Sequence, residues 1–238
     1  MNQWCIDLHN HSCLSPCASD LMLPAVLAME AADTGVQILA LTDHNTCRNL
    51  PAFAEACEII GITGIFGLEV TTREEVHVLT LFNELEQALE FGSWIESLLP
   101  QIPHSSRLFG NQLICDVSGS AYEEYDLFLY GPADIAYDDL IEETLNQDGL
   151  VIPAHIDRSA NSVTANLGFL PHLPYSAVES IAIPPVVETY EYPVIQSSDA
   201  HYIEHIGRRR CFIRSEKNGF AALQEAFSTK NISYLGHL

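Results

Sequence analysis

The sequence predicts an α/β protein with a mostly parallel sheet, either open or closed into a barrel. The chain has 238 residues, of which 47% are hydrophobic, enough for the core of one large barrel or of two small units. Short apolar runs alternate with helix-like stretches along most of the chain. This alternation is typical of parallel sheets whose strands are joined by crossover helices.

The predicted elements follow from local patterns. A helix is expected over residues 24–33, because Pro24 is favoured in a first turn and Gly35 ends the helix. Strands are expected at residues 4–8, 37–41, 65–70, 76–82, 150–154, 178–183 and 193–197. Further helices are expected at residues 52–60, 84–99, 134–146 and 220–228. We expect one domain over residues 1–238, with an elaboration around 84–132, where Pro, Gly and Ser become frequent.

The charge of the chain is strongly acidic. It has 32 Asp and Glu against 10 Lys and Arg, a formal net charge of −22. Such a surface repels phosphodiester backbones and anionic lipid, so we expect neither long nucleic acid nor a membrane as a partner. The start of the chain lacks the pattern of a signal peptide, and no apolar run reaches the ~18 residues of a membrane span. The seven Cys do not suggest a disulfide framework, so a cytoplasmic protein is expected. The oligomeric state is left open.

Histidines recur where predicted strands end. His9 and His11 follow the first strand and, with a side-chain period of two, point to the same face. The other residues of metal-ligand type at or near such positions are His44, Glu69, His77, His155, Asp199 and His201. Because functional sites of parallel α/β folds form at the carboxyl ends of strands, this recurrence predicts a metal site. His104, His172 and His237 fit no motif and are expected to be structural.

These motifs resemble the polymerase and histidinol phosphatase (PHP) family. The matching segments are Asp7-Leu8-His9-Asn10-His11, Thr42-Asp43-His44, Gly67-Leu68-Glu69, His77, Ala154-His155 and Ser198-Asp199-Ala200-His201. The resemblance implies a distorted (β/α)7 TIM-like barrel with two or three divalent metal ions at the C-terminal ends of its strands. Manganese, zinc and iron suit this set of imidazole and carboxylate ligands.

The resemblance also implies roles for individual residues. One ion would be bound by His9, His11 and Asp199, with Glu69 as a bridge. A second ion would be bound by Glu69, His77 and His155, and a third by His44 and His201. Where the family has a further ligand for the third ion, this chain has Pro16, and Cys17 is the expected substitute. Glu69, Asp199 and His201 are the expected catalytic residues. Asp7 and Asp43 are expected to orient ligating imidazoles, or else to be ordinary acids at strand ends.

The expected reaction is hydrolysis of a phosphate ester by attack of a metal-activated hydroxide on phosphorus. Arg158, three residues after His155, is the expected phosphate-binding side chain, with a surface ion pair as the alternative. The expected substrate is a small phosphorylated metabolite that resembles histidinol phosphate or a nucleotide monophosphate.

Three other classes of function compete with this one. An exonuclease or oligonucleotide phosphodiesterase remains an alternative, as does a non-catalytic regulatory module that binds metal. An amidohydrolase with a carboxylated lysine bridge is excluded, because Lys217 and Lys230, the only lysines, follow every candidate ligand. A mononuclear amidohydrolase would leave Glu69 and His77 without a role.

Overall fold

The computed structural model describes residues 1–234, and His237 lies outside these described residues. A seven-stranded sheet forms the centre of the fold, accompanied by two smaller two-stranded sheets. The strands are β1 (Asn2–Asp7), β2 (Ile38–Leu41), β3 (Thr63–Thr71), β4 (His77–Phe82), β5 (Leu113–Cys115), β6 (Ala121–Glu124), β7 (Leu150–Pro153), β8 (Val178–Glu179), β9 (Val194–Ile195), β10 (Cys211–Ser215) and β11 (Ile232–Tyr234).

The helices lie between these strands. They are α1 (Pro24–Asp33), α2 (Leu50–Ile60), α3 (Leu85–Ser97), α4 (Ser106–Phe109), α5 (Tyr137–Asn146), α6 (Val163–Leu167) and α7 (Gly219–Thr229), with a 3-10 turn at Ile203–His205. Helix α1 has the predicted bounds, and α2 ends as predicted at Gly61, whose φ of 85° favours glycine. No helix within residues 1–234 combines the length and apolar character needed to cross a bilayer.

The main sheet is mixed. Its strand order is β11-β10-β1-β2-β3-β4-β7, with β1, β2 and β3 parallel and β4 antiparallel to both of its neighbours. The reversal occurs because β3 and β4 are joined by a turn over residues 72–76, which is too short for a crossover helix. The α/β class is therefore confirmed, but the sheet departs here from a simple βα repeat. The antiparallel β10 and β11 were not predicted.

Both faces of the sheet are covered, which explains why its strands read as continuous apolar runs. Two consecutive residues of β2 illustrate this, because their side chains point to opposite faces of the sheet. Leu39 packs in one core cluster with α1, α2, α3 and α5, and Ile38 packs in a second cluster with α7. Next to β7, Ser176 N donates to Val151 O at 2.9 Å, and after β9, Ser198 N donates to Asp7 Oδ1 at 2.9 Å. The first contact holds the segment before β8 against β7, and the second brings the segment after β9 next to the end of β1.

Residues 84–132, the predicted elaboration, contain α3, α4 and the β5–β6 hairpin. This segment is tied to the loop after β1, because Leu113 N donates to Cys13 O at 3.0 Å. Gly110, with φ of 94°, packs so closely on this loop that a Cβ atom would overlap the carbonyl oxygen of Pro16. The elaboration therefore borders the region where the β1 and β2 ends meet. The single-domain organisation stays a prediction.

Candidate metal centre

Eight side chains of metal-ligand type converge at one edge of the sheet. His9 and His11 follow β1, His44 follows β2, Glu69 lies in β3, His77 begins β4, His155 follows β7, and Asp199 and His201 follow β9. His77 reaches this edge with the first residue of its strand, because β4 runs opposite to its neighbours. The side chains of Asp199 and His201 are 14% and 19% exposed, whereas the other six are almost fully buried. The cluster is therefore open to solvent on the side of Asp199 and His201.

The Glu69 carboxylate lies at the centre of the cluster. Its Oε1 lies 3.2 Å from His9 Nε2, 2.8 Å from His77 Nδ1 and 3.1 Å from His155 Nε2. Its Oε2 lies 3.3 Å from His11 Nε2 and 3.0 Å from His44 Nδ1. One carboxylate thus faces imidazoles from four different strands.

Three groups of residues could each hold a metal ion, with ligand atoms within 4.8 Å of one another. They are His9, His11 and Asp199; His44, Glu69 and His77; and His11, His44 and His201. The first matches the set expected from the sequence. The other two groups assign the residues differently from the sequence-based expectation. His44 joins Glu69 and His77, whereas His155, expected in that set, contacts Glu69 but belongs to none of the three groups.

His44 shows most directly that the cluster suits a metal. Both of its ring nitrogens are buried without a hydrogen-bond partner. Nδ1 lies close to Glu69 Oε2, but the angle does not allow a hydrogen bond. An unpaired buried polar atom costs about 1–3 kcal/mol, and coordination to a cation would satisfy it. Imidazole nitrogens and carboxylate oxygens together fit a divalent transition ion.

The protonation of the cluster also suits coordination. Burial, reinforced by the nearby His11, lowers the pKa of His44 well below its usual value. Burial and His11 likewise lower the pKa of His201 to about 4. Burial opposes ionisation of Glu69, but the surrounding imidazoles, foremost His77, hold its pKa well below the usual range. The cluster thus combines an ionised carboxylate with neutral imidazoles at His44 and His201, the forms that bind metal. Burial also disfavours the charged form of His9 and His11, but nearby carboxylates, which include Glu69 and Asp199, raise the pKa of both.

Glu179 is a member of the site that the sequence motifs did not reveal. It is buried at the end of β8, where Oε2 accepts hydrogen bonds from His9 Nδ1 at 3.0 Å and from the backbone N of His155 at 2.8 Å. The contact at Nδ1 leaves Nε2 of His9 facing Glu69 and Asp199. The only sequence signal for Glu179 was its position as an acid inside a predicted strand, and no histidine in that strand marked it as part of a metal site.

The two other strand-end acids accept hydrogen bonds from neighbouring segments. Asp7 accepts from the backbone N atoms of Ser198 and Gly207 at 2.9 and 3.1 Å. Asp43 accepts from the hydroxyl of Ser15 at 2.7 Å, and this hydroxyl lies 3.0 Å from His11 Nδ1. Asp43 therefore reaches the imidazole of His11 through Ser15, whereas Asp7 holds the segment after β9 against β1.

Two candidate ligands have unusual backbone conformations. His155 and Asp199 have φ values of 31° and 47°, in the left-handed region that residues other than glycine rarely adopt. Such strain costs about 1–3 kcal/mol per residue and is concentrated at functional sites. His155 lies two residues after β7 and Asp199 lies four residues after β9, and each turns its side chain into the cluster.

The remaining predicted residues lie at the opening of the site. Arg158 is 43% exposed, and its Nη1 donates to Asp199 Oδ2 at 2.9 Å. Cys17 is exposed and belongs to none of the three ligand groups, so its role as a ligand stays a prediction. Tyr130, which sequence motifs did not reveal, packs edge-on against His44 and His77 with ring centroids 4.8 and 6.1 Å apart.

The family of the chain follows from its sequence profile. The profile of the PHP domain matches residues 7–149, more than half of the chain, and the chain therefore belongs to the PHP domain family. Family membership and the ligand cluster make it a metal-dependent phosphoester hydrolase by class. A comparison with curated proteins returned no match.

Solved structures show the same fold at low sequence identity. The lesion-specific endonuclease Q of Pyrococcus furiosus has a TM-score of 0.65 at 17% identity, with 96% of this chain and 56% of that chain covered. Endonuclease Q in complex with a 27-mer duplex that carries an abasic lesion has a TM-score of 0.66 at 16% identity, covering 96% of this chain and 57% of that one. A candidate metal-dependent phosphoesterase of Bifidobacterium adolescentis has a TM-score of 0.59 at 16% identity, covering 96% of both chains.

The expectation that long nucleic acid is excluded as a partner is wrong. Endonuclease Q binds a DNA duplex and shares this fold, so the fold admits such a partner. The net charge of −22 is a sum over the whole chain, whereas binding of DNA depends on the local field at the contact surface. This chain spans just over half of the length of endonuclease Q.

Proposed function

We propose that this protein hydrolyses a small phosphorylated metabolite, such as a histidinol-phosphate-like compound or a nucleotide monophosphate. The observation that carries the proposal is the convergence of imidazoles around the Glu69 carboxylate beside a solvent-open edge. Asp199 and His201 are partly exposed, so a phosphoryl group in solution can reach the cluster there. We further propose that the sheet is a distorted (β/α)7 barrel with the cluster at the C-terminal ends of its strands, except that the reversed β4 contributes His77 from its N-terminal end.

The cluster would hold two or three divalent ions, with manganese, zinc and iron as the candidates. The first ion would be held by His9, His11 and Asp199. The second would be held by Glu69 and His77 together with His44 or His155, and the third by His44 and His201. Such ions neutralise phosphoryl charge and lower the pKa of an attacking water.

The protein's own side chains would complete the site. Glu69 provides the central negative charge that keeps the ions together, and Asp199 and His201 are the ligand-type residues that substrate can reach. Glu179 holds the Nδ1–H of His9 and so keeps the lone pair of Nε2 directed into the cluster. Arg158 supplies a guanidinium beside the opening, where it can bind phosphate oxygens in place of Asp199.

The proposal is tested by metal analysis and a substrate screen on the purified protein. We expect two or three Mn, Fe or Zn ions per chain and hydrolysis of p-nitrophenyl phosphate, followed by selectivity in a panel of phosphorylated metabolites. Less than one transition ion per chain would overturn the proposal. Bound metal without turnover of any phosphoester would instead indicate a regulatory module.

A nuclease is the second candidate, favoured by the likeness to endonuclease Q. The same screen should include oligonucleotides and a duplex with an abasic site. A kcat/KM for either nucleic acid above that for every metabolite would replace the small-substrate proposal.

We expect Arg158→Ala to raise KM for a phosphate monoester by about tenfold, because a hydrogen bond to a charged group contributes about 1.5–3 kcal/mol. The fall in kcat should be smaller, since the metal ligands remain. Steady-state kinetics with Arg158→Lys as the charge-preserving control would measure this. An unchanged KM in both variants would reassign Arg158 to its ion pair with Asp199.

For Cys17, replacement by Ser is expected to lower the metal content at one site only, because a hydroxyl is a weaker ligand than a thiolate for zinc or iron. The buried Cys57→Ser would serve as a cysteine control remote from the cluster. Equal metal content in the Cys17 variant and the parent would remove this residue from the ligand set.

A further inference from the structure

Two thiols lie in contact where the β5–β6 hairpin meets the loop after β1. The Sγ atoms of Cys13 and Cys115 are 3.5 Å apart, and both side chains are buried, with 1% and 2% exposure. Both residues are free thiols. The sulfur atoms of a disulfide are about 2.0 Å apart, so a bond between them requires an approach of only about 1.5 Å.

The hairpin is held against this loop by contacts on either side of the thiols. We call residues 12–23 the β1 loop. Leu113 N donates to Cys13 O at 3.0 Å, and Asn111 Nδ2 donates to Asp20 Oδ2 at 2.7 Å. Strands β5 and β6 have only three and four residues, and a two-stranded hairpin is marginally stable by itself. The position of the hairpin therefore depends on its contacts with the β1 loop.

Asn49 fixes the distance between the same two segments. Its Nδ2 donates to Ser12 Oγ at 2.9 Å and to Leu113 O at 3.0 Å, and its Oδ1 accepts from the backbone N of Cys115 at 2.9 Å. Both N–H groups and the oxygen of this buried amide are thus engaged by the β1 loop and the hairpin. The two thiols are held in contact by hydrogen bonds to their direct neighbours.

The β1 loop also supports three candidate metal ligands. The hydroxyl oxygen of Ser15 lies 3.0 Å from His11 Nδ1 and accepts from the backbone N of His44 at 3.2 Å. Ser19 N donates to His201 O at 2.9 Å. A covalent bond that restrains the β1 loop would therefore also restrain the segments that carry these ligands.

We propose that Cys13 and Cys115 form a reversible disulfide, which fastens the β5–β6 hairpin to the β1 loop and slows the loss of metal from the neighbouring cluster. The oxidant is a small-molecule disulfide, such as oxidised glutathione. Most of the candidate ligands are buried, so an ion leaves the cluster only when the surrounding segments open. A disulfide between two of these segments disfavours that opening.

The bond forms in two exchange steps. Cys115 is followed directly by the exposed Asp116, so a local opening of the hairpin presents this thiol first. Its thiolate attacks one sulfur of the small disulfide, which forms a mixed disulfide and releases one small thiol. The sulfur of Cys13 then attacks the sulfur of Cys115, and a second small thiol leaves. The protein loses two electrons and two protons, and the small disulfide gains them as two thiols.

The exchange is expected to be slow while the hairpin is closed, because burial raises the pKa of the Cys115 thiol and so disfavours the thiolate. Mild denaturant, which favours local opening, should accelerate the reaction. The thiol pair is thus a slowly responding site rather than a catalytic one.

Mass spectrometry of the full chain after incubation with oxidised glutathione tests whether the bond forms. Trypsin leaves Cys115 as the only cysteine of residues 108–158, whereas Cys13 shares residues 1–48 with Cys5, Cys17 and Cys47. Fragmentation of the linked peptide therefore assigns the partner. We expect a cross-link between Cys13 and Cys115 that dithiothreitol reverses. A parent protein in which both remain free, or carry only glutathione, would overturn the inference.

Amide hydrogen exchange and metal transfer test what the bond does. Oxidation of the parent should slow exchange in residues 12–23 and 113–124. In the chain loaded with Mn²⁺, it should slow transfer of the ion to a chelator by about tenfold, since a disulfide disfavours the opening of the segments that it joins. Unchanged exchange and transfer in a parent with the mapped bond would also overturn the inference.

Cys115→Ser removes the bond, so oxidation of this variant should change neither measurement. It retains Cys17, and any effect of glutathione on that exposed thiol would appear in it as well. Cys57→Ser is the matched control, because Cys57 is a buried thiol of α2, and it should respond as the parent does. Cys13→Ala provides the same comparison if Cys115→Ser proves poorly folded.

An equal response of the parent and of the variants without the bond would contradict the role of the thiol pair. Failure of the reduced parent to bind Mn²⁺ would count against the proposed function alone, because mapping of the bond and amide exchange do not require a metal.

Discussion

Glu69→Gln is expected to lower kcat for phosphoester hydrolysis by on the order of 10³-fold while the protein stays folded, equivalent to the several kcal/mol that metal-ion catalysis contributes. The substitution keeps the shape of the side chain but removes the negative charge that faces imidazoles of four strands. Without that charge, neighbouring cations at the site would repel one another. Steady-state turnover measures the loss of kcat, circular dichroism shows whether the protein stays folded, and metal content per chain shows whether the ions are still bound.

Glu96→Gln is the matched control for Glu69. Glu96 is also largely buried and hydrogen-bonded, but its partners are Arg48 and Thr46 rather than the cluster. We expect Glu96→Gln to retain near-parental kcat. Parental turnover in Glu69→Gln would show that the carboxylate does not bridge the metals, whatever the effect on stability.

Glu179→Ala is expected to weaken metal binding at the His9 site by about 10–100-fold, the usual cost of losing a side chain that orients a ligating histidine. Without Glu179, the imidazole of His9 can carry its proton on Nε2, the atom that faces Glu69 and Asp199. Competition with a chelator gives the metal affinity, and ¹⁵N chemical shifts of His9 report its tautomer. Glu179→Gln should have a smaller effect, because its amide oxygen can still accept the hydrogen bonds that Oε2 of Glu179 accepts.

Recovery of activity in excess metal would show whether Glu179 positions the imidazole of His9 or only supports the fold. Activity of Glu179→Ala should recover as the metal concentration rises, whereas a merely unfolded fraction would not respond in this way. Asp157→Asn is a suitable control, because Asp157 accepts hydrogen bonds from the backbone of Ile181 and Ala182 without contacting an imidazole. A parental metal affinity and tautomer in Glu179→Ala would contradict the assigned role.

Local sequence signals predicted the first half of the fold well. Pro24 and Gly35 delimit α1, and the apolar runs before His9 and His44 form β1 and β2. These features depend on residues close together in the chain, through turn preferences and side-chain period. Pairing partners depend on distant residues, which is why β10, antiparallel to β1, was missed.

The net charge of the chain led to the expectation against a nucleic-acid partner, which is wrong. A formal net charge of −22 is correct for the chain, but it does not describe the field at any particular surface. Endonuclease Q, which shares this fold, binds a DNA duplex, so net charge alone was too coarse a basis for the expectation.

The sequence by itself determined which residues of metal-ligand type this protein has and near which strand ends they occur, because His-x-His and similar spacings are local. Only the tertiary structure decided how they combine. Glu69 meets imidazoles from four strands, His77 arrives from a reversed strand, and Glu179 supports His9 from 170 residues away. The physical reason is that coordination and hydrogen bonding act over about 3 Å in space, whatever the separation along the chain.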